Sequence, residues 1–470
     1  MNIGKYYNLS KDIYINKIET NSKKVTKNNL FVCINGFDYD GHDFVEEAIF
    51  NGCNFIVSEK ELNVKIPYVI VKDSRLELTR LLNYFYEYPL SDLDLIGITG
   101  TDGKTTTSFI LFKMLNHFNI LSGYIGTNGI YYEDDIIHTK NTTPGPLILY
   151  KNFSNYHKLN YKYVSMEVSS HAIDQKRIDG LNFKYGIFTN LSHDHLDYHK
   201  NIIDYFNTKL KLFKYCNKCI INIDDKFGYK LSKKFKSITF GKNPLSNFHI
   251  TNIKCLKENT FFSFKYLNYE VNDVMINLAN EYNVYNVIPS IVILLEEKIN
   301  LKFILKYLKN IPKIDGRMEK INYFNNDIYI DFAHTPNALE SLIKNIKKYN
   351  YNNIYLIFGC TGNRDKLKRP KMGVIASNYC DYVIFTEEDS YNEDPLDIIN
   401  EMLINVNKNN YEIVLNRKEA ILRGISLLNN NDCLLITGKG MESTLNRKNK
   451  IIIHNDYYIA LNEVKRKKKL

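Results

Sequence analysis

Leu95-Ile96-Gly97-Ile98-Thr99 runs straight into Gly100-Thr101-Asp102-Gly103-Lys104-Thr105-Thr106, and the pattern turns helical near Thr107. An apolar strand that ends in a glycine-rich turn and opens a helix gathers backbone N–H groups, a helix N-terminus and a lysine ammonium in one small volume. That is a way to hold a polyphosphate. A hydroxyl from Thr105 or Thr106 then reaches the magnesium that accompanies the phosphates. The spacing differs from the generic phosphate loop, which needs glycine where Ile98 stands. The bland alternative is a surface turn with a solvated lysine.

Strand and helix patterns alternate on both sides of this loop. Over residues 1–88, Leu30-Phe31-Val32-Cys33-Ile34 and Asn54-Phe55-Ile56-Val57 read as strands, with a short helix from Asp43 to Asn51 between them. Tyr88-Pro89-Leu90 punctuates the chain just before the loop-bearing strand. From 89 to 313 strand and helix repeat as a parallel sheet with crossover helices requires. The pattern resets near Pro312 and Gly316. Ile328-Tyr329-Ile330, Ile354-Tyr355-Leu356-Ile357-Phe358, Tyr382-Val383-Ile384-Phe385, Ile413-Val414-Leu415 and Cys433-Leu434-Leu435-Ile436 then read as the strands of a second doubly wound unit. The expected fold is α/β in three domains: a small α/β domain over 1–88, a central parallel-sheet domain of P-loop type over 89–313, and a Rossmann-like domain over 314–470.

Composition narrows the setting. A chain of 470 residues fits three domains. No apolar run approaches the roughly 20 residues of a membrane span, and Met1-Asn2-Ile3-Gly4-Lys5-Tyr6 has no secretory h-region, so a cytoplasmic protein without a membrane partner is expected. Eight cysteines without regular spacing read as reduced thiols, and Cys216-Asn217-Lys218-Cys219 is a single CxxC without a second pair, which disfavours zinc. The net charge of +10 comes from lysines spread along the chain, so no nucleic-acid partner is expected; the dense run Lys465-Arg466-Lys467-Lys468-Lys469 reads as a frayed, solvated terminus. A moderate basic excess suits anionic nucleotide substrates.

Ligands of open α/β sheets sit beyond the carboxyl ends of strands. After Tyr163-Val164-Ser165-Met166 comes Glu167-Val168-Ser169-Ser170-His171. After Tyr185-Gly186-Ile187-Phe188-Thr189 comes Asn190-Leu191-Ser192-His193-Asp194-His195-Leu196-Asp197-Tyr198-His199. Three histidines within seven residues look at first like a metal cage, yet nothing singles out zinc. With a phosphate loop upstream, a magnesium site using Glu167 and one histidine is the more economical reading.

These motifs, with Asn283-Val284-Tyr285-Asn286, Gly316-Arg317-Met318-Glu319, Asp331-Phe332-Ala333-His334-Thr335-Pro336, Arg364-Asp365-Lys366 and Gly438-Lys439-Gly440, stand in one order over nearly the whole chain. The chain therefore resembles the Mur ligases, and most of all their UDP-N-acetylmuramoyl-tripeptide synthetases. The resemblance implies an ADP-forming ligase of peptidoglycan synthesis. In such ligases ATP phosphorylates the terminal carboxylate of UDP-MurNAc-L-Ala-D-Glu, and the amine of a diamino acid attacks the acyl phosphate. By the resemblance, Gly100, Thr101, Asp102, Gly103, Lys104, Thr105 and Thr106 hold the phosphates. Thr105 carries one Mg²⁺, and Glu167, His195 and a carbamylated Lys209 carry a second. Carbamylation turns a cation into an oxygen ligand suited to a hard ion; without the resemblance Lys209 reads as a solvated helix lysine.

The resemblance further implies an adenine contact at Asn286, a phosphate clamp at Arg317, a ribose contact at Asp331, and His334 in the same nucleotide motif. Thr142, Thr143, Ser169, His171 and Arg177 match muramyl and diphosphate contacts, and Ser22 and His42 match uridine contacts. The family's Asp-Ser-Arg stands here as Asn21-Ser22-Lys23, and its asparagine after Gly-Thr stands as Asp102. A monomer is expected.

The amino-acid end departs most. Arg364 matches the arginine for the incoming α-carboxylate, and Gly438 and Glu442 belong to a motif in which Met441 replaces the family's histidine. Members that add meso-diaminopimelate carry Asp-Asn-Pro-Arg where this chain has Glu388-Asp389-Ser390-Tyr391. Tyr391 offers no bidentate fork for the distal carboxylate. Glu387, Glu388, Asp389 and Glu442 suggest an acidic pocket, which favours L-lysine or L-ornithine over diaminopimelate. Competing readings are another amide ligase such as a folylpolyglutamate synthetase, a nucleotide-dependent binding protein without ligase activity, and a zinc hydrolase.

Overall fold

The computed structural model describes residues 1–36, 39–132, 135–448 and 450–468. By compactness the chain divides into two interleaved units. One comprises Met1–Ile98, Leu115–Gly186 and Lys211–Asn217; the other comprises Thr99–Met114, Ile187–Leu210 and Lys218–Leu470.

In the first unit, Lys17–Glu19, Asn29–Val32, Cys53–Ser58 and Tyr68–Ile70 form a parallel four-stranded sheet in chain order. Beside the single turn Ile3–Tyr6, Val45–Phe50 and Ser74–Phe85 are the longer helices of this region. Asp73 caps the second of these by accepting from Arg75 and Leu76 N–H. The same unit holds the parallel run Asp94–Thr99, Tyr163–Glu167, Ser122–Gly126, continued antiparallel by Gly129–Tyr132 and Asp135–Ile137. Asp94–Thr99 and Tyr163–Glu167 are almost continuously buried, as strands covered on both faces must be. Gly97 is required by packing: a Cβ there would lie 2.9 Å from the Phe183 ring.

In the second unit, which takes up the strand Cys216–Asn222 from Lys218 on, that strand, Ser237–Gly241 and Phe248–Cys255 pair in parallel, and Thr260–Tyr266 with Tyr269–Ile276 add an antiparallel extension. A separate six-stranded sheet runs Glu319–Tyr323, Asn326–Asp331, Cys433–Thr437, Ile354–Phe358, Tyr382–Phe385, Tyr411–Ile413, parallel apart from its first strand. Two apolar clusters cover its faces. One centres on Leu339, Leu356, Phe358 and Met402, the other on Ile330, Ile384, Ile421 and Ile436. This is the doubly wound arrangement that the apolar runs predict.

Three local expectations change. The helix after the phosphate loop is Lys104–His117, not one from Thr107, so Thr105 and Thr106 sit in its first turn. The strand expected over 413–415 is Tyr411–Ile413, because Val383, Ile384 and Phe385 pair with that triplet. The basic tail is helical: Asp456–Lys468 is a helix whose Lys468 Nζ donates to the Asn322 carbonyl, while Lys469 lies outside the described residues. No helix among the described residues is long and apolar enough to cross a membrane.

Candidate active site

The phosphate loop is fastened from below. Thr101 N–H donates to the Asn190 carbonyl at 2.9 Å, Asp102 N–H donates to Asn190 Oδ1 at 2.9 Å, and Thr189 Oγ1 donates to the Asp102 carbonyl at 2.7 Å. Thr189 and Asn190 thus set the loop's shape, a role the sequence reading did not assign. The signal available for it was their place at the end of an apolar strand, ahead of the histidine motif. Two glycines make the fit possible. A Cβ on Gly100 would meet Thr189 Oγ1 at 1.9 Å, and Gly103, at φ +81°, would press one to 2.5 Å from Asn286 Oδ1.

Two lysines meet at the loop. Lys104 Nζ donates to the carbonyls of Gly100 and Thr101, at 3.0 and 2.7 Å. Lys209, only 1% exposed, donates to the same Gly100 carbonyl at 2.8 Å and to Thr99 Oγ1 at 3.4 Å, with its ammonium position 4.6 Å from the Tyr205 ring centre. Burial, with the Lys104 charge adding to it, pushes Lys209 well below the ordinary lysine range. The solvated lysine of the unaided sequence reading is therefore a buried amine.

The histidines do not form a cage. His193 Nε2 faces Asp365 Oδ2 at 3.1 Å, His195 Nε2 faces Asp194 Oδ2 at 3.4 Å, and His199 Nδ1 faces Asp204 Oδ2 at 3.7 Å. Among the described residues no group of three or more His, Cys, Asp or Glu is arranged to hold a metal. Asp194 is instead an electrostatic centre, with Lys368 Nζ at 3.4 Å and His334 Nε2 at 4.0 Å. Burial opposes its charge, but Lys368, His195, His334 and Lys104 hold its carboxyl far below the usual range. His334 goes the other way: burial and Lys368 push it down to about 4, so its ring is neutral at neutral pH.

The residues expected to meet the nucleotide's far end lie in the same unit. Asn286 is buried, its amide donating to Asn283 Oδ1 at 3.0 Å and accepting from Thr107 Oγ1 at 3.3 Å. The Arg317 guanidinium lies 4.4 Å from the Phe332 ring centre. Asp331 accepts from Met318 N–H and Ala333 N–H, both at 2.8 Å; burial raises its pKa in spite of Arg317.

Glu167 belongs to the first unit. Its Oε1 accepts from the Tyr124 hydroxyl at 2.7 Å and Thr127 N–H at 2.9 Å, and its Oε2 accepts from Thr127 Oγ1 at 3.2 Å. A carboxylate, an imidazole and a threonine hydroxyl are suitable donors for Mg²⁺, and an amine is not. Lys209 fits that set only once its nitrogen is carbamylated.

Close to Glu167, Thr143 Oγ1 donates to the Glu167 carbonyl at 2.9 Å, and Arg177 Nη1 donates to the Thr143 carbonyl at 2.8 Å. Ser169 caps the helix Ser170–Asp174, which carries His171, and Thr142 Oγ1 lies 3.1 Å from Thr127 Oγ1. Ser22 donates to Glu47 Oε2, and His42 uses Nδ1 on Asp40 at 2.5 Å and Nε2 as acceptor from Glu59 N–H at 3.0 Å. Both expected uridine contacts thus have partners within the fold.

The expected acidic pocket is corrected. Glu387 is gripped by the Arg447 fork. Asp389 accepts from Lys439 Nζ at 2.9 Å and from the Asn446 backbone and side-chain amides at 2.8 and 3.1 Å, and Glu442 accepts from Lys439 at 2.6 Å. Only Glu388 keeps an oxygen, Oε2, that is buried without a hydrogen-bond partner; it faces Gly438, and Oε1 accepts from Thr361 at 2.5 Å. Carboxylates enclosed by a fold need partners, and here most of the partners come from the chain itself. Arg364 is exposed and lines an open cavity of about 480 Å³ with Leu196, Asp197, Lys366 and Glu393. Its loop is braced by fully buried Arg369, which binds Glu393, Glu401 and the Thr361 carbonyl.

Three family models match the chain: "Mur ligase family, catalytic domain" over 14–85, "Mur ligase middle domain" over 98–294, and "Mur ligase, glutamate ligase domain" over 316–440. The UDP-N-acetylmuramoyl-L-alanyl-D-glutamate--2,6-diaminopimelate ligase of Clostridium botulinum is 37% identical over 448 residues, 93% of this chain and 92% of the relative. UDP-N-acetylmuramyl-tripeptide synthetase 2 of Oceanobacillus iheyensis is 38% identical over 468 residues, 95% and 94% of the two chains. A solved structure of a UDP-N-acetylmuramoyl-L-alanyl-D-glutamate--2,6-diaminopimelate ligase superposes with a TM-score of 0.70 at 24% identity, covering 100% of this chain and 99% of the other. The chain belongs to the Mur ligase family.

Proposed function

We propose that this protein adds an amino acid to UDP-MurNAc-L-Ala-D-Glu at the expense of ATP, through an acyl phosphate, giving the UDP-MurNAc-tripeptide, ADP and phosphate. The observation that carries the reading is the buried Lys209 amine on the Gly100 carbonyl, beside Lys104. A lysine with its pKa depressed by burial presents the free amine that carbamylation requires, and a passive nucleotide binder has no need of one.

In this reading Lys104 and the amides of residues 100–106 hold the β- and γ-phosphates while charge shifts toward the transferring oxygens. Asn286 meets adenine, Asp331 the ribose, and Arg317 the phosphates. His334 adds no charge, because its ring is neutral. Bound Mg²⁺ would neutralise phosphate charge, held by Thr105 at one site and by Glu167, His195 and carbamylated Lys209 at another. Ser22 and His42 would receive the uridine, and Thr142, Thr143, Ser169, His171 and Arg177 the muramyl diphosphate. The first two of these would exchange their present partners for the nucleotide. Arg364 would take the α-carboxylate of the incoming amino acid, beside Glu388, Asp389, Gly438 and Glu442. Domain limits at 1–88, 89–313 and 314–470 follow the same division of labour, and a cytoplasmic monomer is the setting the reading calls for.

The amino acid we assign is meso-diaminopimelate. The internal pairing of Glu387, Asp389 and Glu442 removes the main ground for a pocket selective against a second carboxylate, and diaminopimelate is the amino acid in the Clostridium botulinum relative's name. One observation favours L-lysine or L-ornithine instead: Tyr391 stands where the family's diaminopimelate enzymes place an arginine. Purified enzyme with ATP and UDP-MurNAc-L-Ala-D-Glu, offered the three amino acids in parallel, tests both levels. Phosphate release with diaminopimelate alone supports the assignment, release with lysine or ornithine alone reverses it, and release with none of them defeats the ligase reading.

A further inference from the structure

Lys439 side-chain atoms are 0% exposed, yet the ammonium bridges two carboxylates, Asp389 Oδ1 at 2.9 Å and Glu442 Oε2 at 2.6 Å. The triad lies at the carboxyl ends of the two parallel strands that flank Ile354–Phe358, where Cys433–Thr437 leads to Lys439 and Tyr382–Phe385 leads to Asp389. It is also close to the amino-acid end of the site, since the Tyr391 hydroxyl feels the charges of Asp389, Arg364, Glu442 and Lys439 together. The hairpin Thr444–Arg447/Lys450–Ile453 fixes the arrangement. Asn446 holds Asp389 through two amides, and Tyr391 N–H donates to the Asn446 carbonyl at 3.2 Å.

We infer that Lys439 is a specificity-determining residue: by neutralising Asp389 and Glu442 it sets the charge that the distal end of the incoming amino acid meets. The inference rests on the ligase reading above. Lysine, ornithine and diaminopimelate all carry a side-chain ammonium, so that group does not separate them. Only diaminopimelate adds a distal carboxylate, and the cost of placing it rises with every uncompensated acid nearby. Glu388, whose buried Oε2 has no hydrogen-bond partner, is one acid already nearby. Lys439 prevents Asp389 and Glu442 from supplying two more. Asp389 has the complementary effect, because it occupies a cation that would otherwise attract the distal carboxylate.

The two ends of the bridge therefore make opposite predictions. Lys439→Gln frees two acids and shifts the ratio of kcat/KM for lysine over diaminopimelate upward, by roughly tenfold or more. Asp389→Asn leaves Lys439 in excess and shifts the same ratio downward by a similar factor. Lys439→Arg keeps the charge and brings the ratio back toward wild type. Assays at pH about 8.5 keep a proton from settling on one of the freed carboxylates. Opposite shifts sustain the inference; a structural brace would lower all three activities together and leave the ratio unchanged, which overturns it. Wild-type enzyme that ligates none of the amino acids defeats the ligase reading instead, and a Lys439→Gln protein that fails to fold leaves the Asp389→Asn ratio to decide.

Discussion

Thr335 Oγ1 donates to the carboxylate of Asp102, 3.2 Å from Oδ1 and 3.4 Å from Oδ2, while accepting from Ala338 N–H at 3.2 Å as the cap of helix Pro336–Lys347. One hydroxyl thus ties the phosphate loop to the start of a helix in the region matched by the glutamate ligase model. Asparagine at 102 would still accept this bond. Asp102→Asn is therefore expected to change the KM for ATP by less than about threefold, since the donor keeps an uncharged acceptor. A tenfold improvement would mean that the acid opposes the nucleotide. Thr335→Val loses both bonds and should cost about 1–2 kcal/mol in urea unfolding.

Asp102 also predicts a pH effect. Burial raises its pKa, and Lys104 only partly offsets this. The folded state therefore holds the proton more tightly than the unfolded state, and stability falls as pH rises from the unfolded carboxyl value up through the folded one. Asp102→Asn should remove that fall and raise Tm at pH about 7.5 by a few degrees. An identical Tm profile in the two proteins would contradict the burial argument.

Replacing Lys209 by Ala should lower ligation on the order of a hundredfold or more while ATP still binds, because the residue is assigned to the metal site and not to adenine or ribose. Ligation at the wild-type rate would remove the carbamate assignment. Loss of ATP binding in parallel would make Lys209 a brace for the Gly100 carbonyl.

Lys368 and Asp194 side chains are 6% and 4% exposed. Asp194→Asn should cost about 3–5 kcal/mol, since a buried ammonium loses its counter-charge. The double variant Asp194→Asn/Lys368→Met should recover part of the loss, and a double-mutant cycle with no coupling would show that the two do not act as a pair.

Arg417 and Asp456 are both fully buried, joined at 2.9 and 2.7 Å, with His454 Nε2 2.8 Å from the same carboxylate. Burial opposes the charge on Asp456, but Arg417 and His454 hold its pKa far below the usual range. Its stabilisation is complete above the unfolded carboxyl value and is lost as pH falls toward the folded one. Arg417→Met should destabilise by about 3–5 kcal/mol at neutral pH and flatten the acid limb of the stability curve. An unaltered acid limb would mean that other carboxylates govern it.

Much of the site was legible because its signals are local. Gly100, Gly103, Lys104 and Thr105 lie within one turn, so their spacing suggests a phosphate loop, whereas the expectations for Asp331 and His334 came from the resemblance. Lys209 was not legible as a buried amine. It lies on helix Ile202–Phe213 among alternating polar and apolar residues, and only packing against Tyr205 and the Gly100 carbonyl removes it from water. The acidic pocket misled for a similar reason. Composition counts charges, whereas a site responds to charges that remain uncompensated.

The sequence by itself determined the family, the parallel-sheet class and the order of the motifs, because periodicity and short-range spacing are properties of the chain. Tertiary structure decided which charges cancel. Arg447 reaches Glu387 across 60 residues and Lys439 reaches Asp389 across 50, pairings set by strand order and not by proximity along the chain. Coulomb energy depends on distance in space and on exclusion of water, and both exist only once the chain has folded.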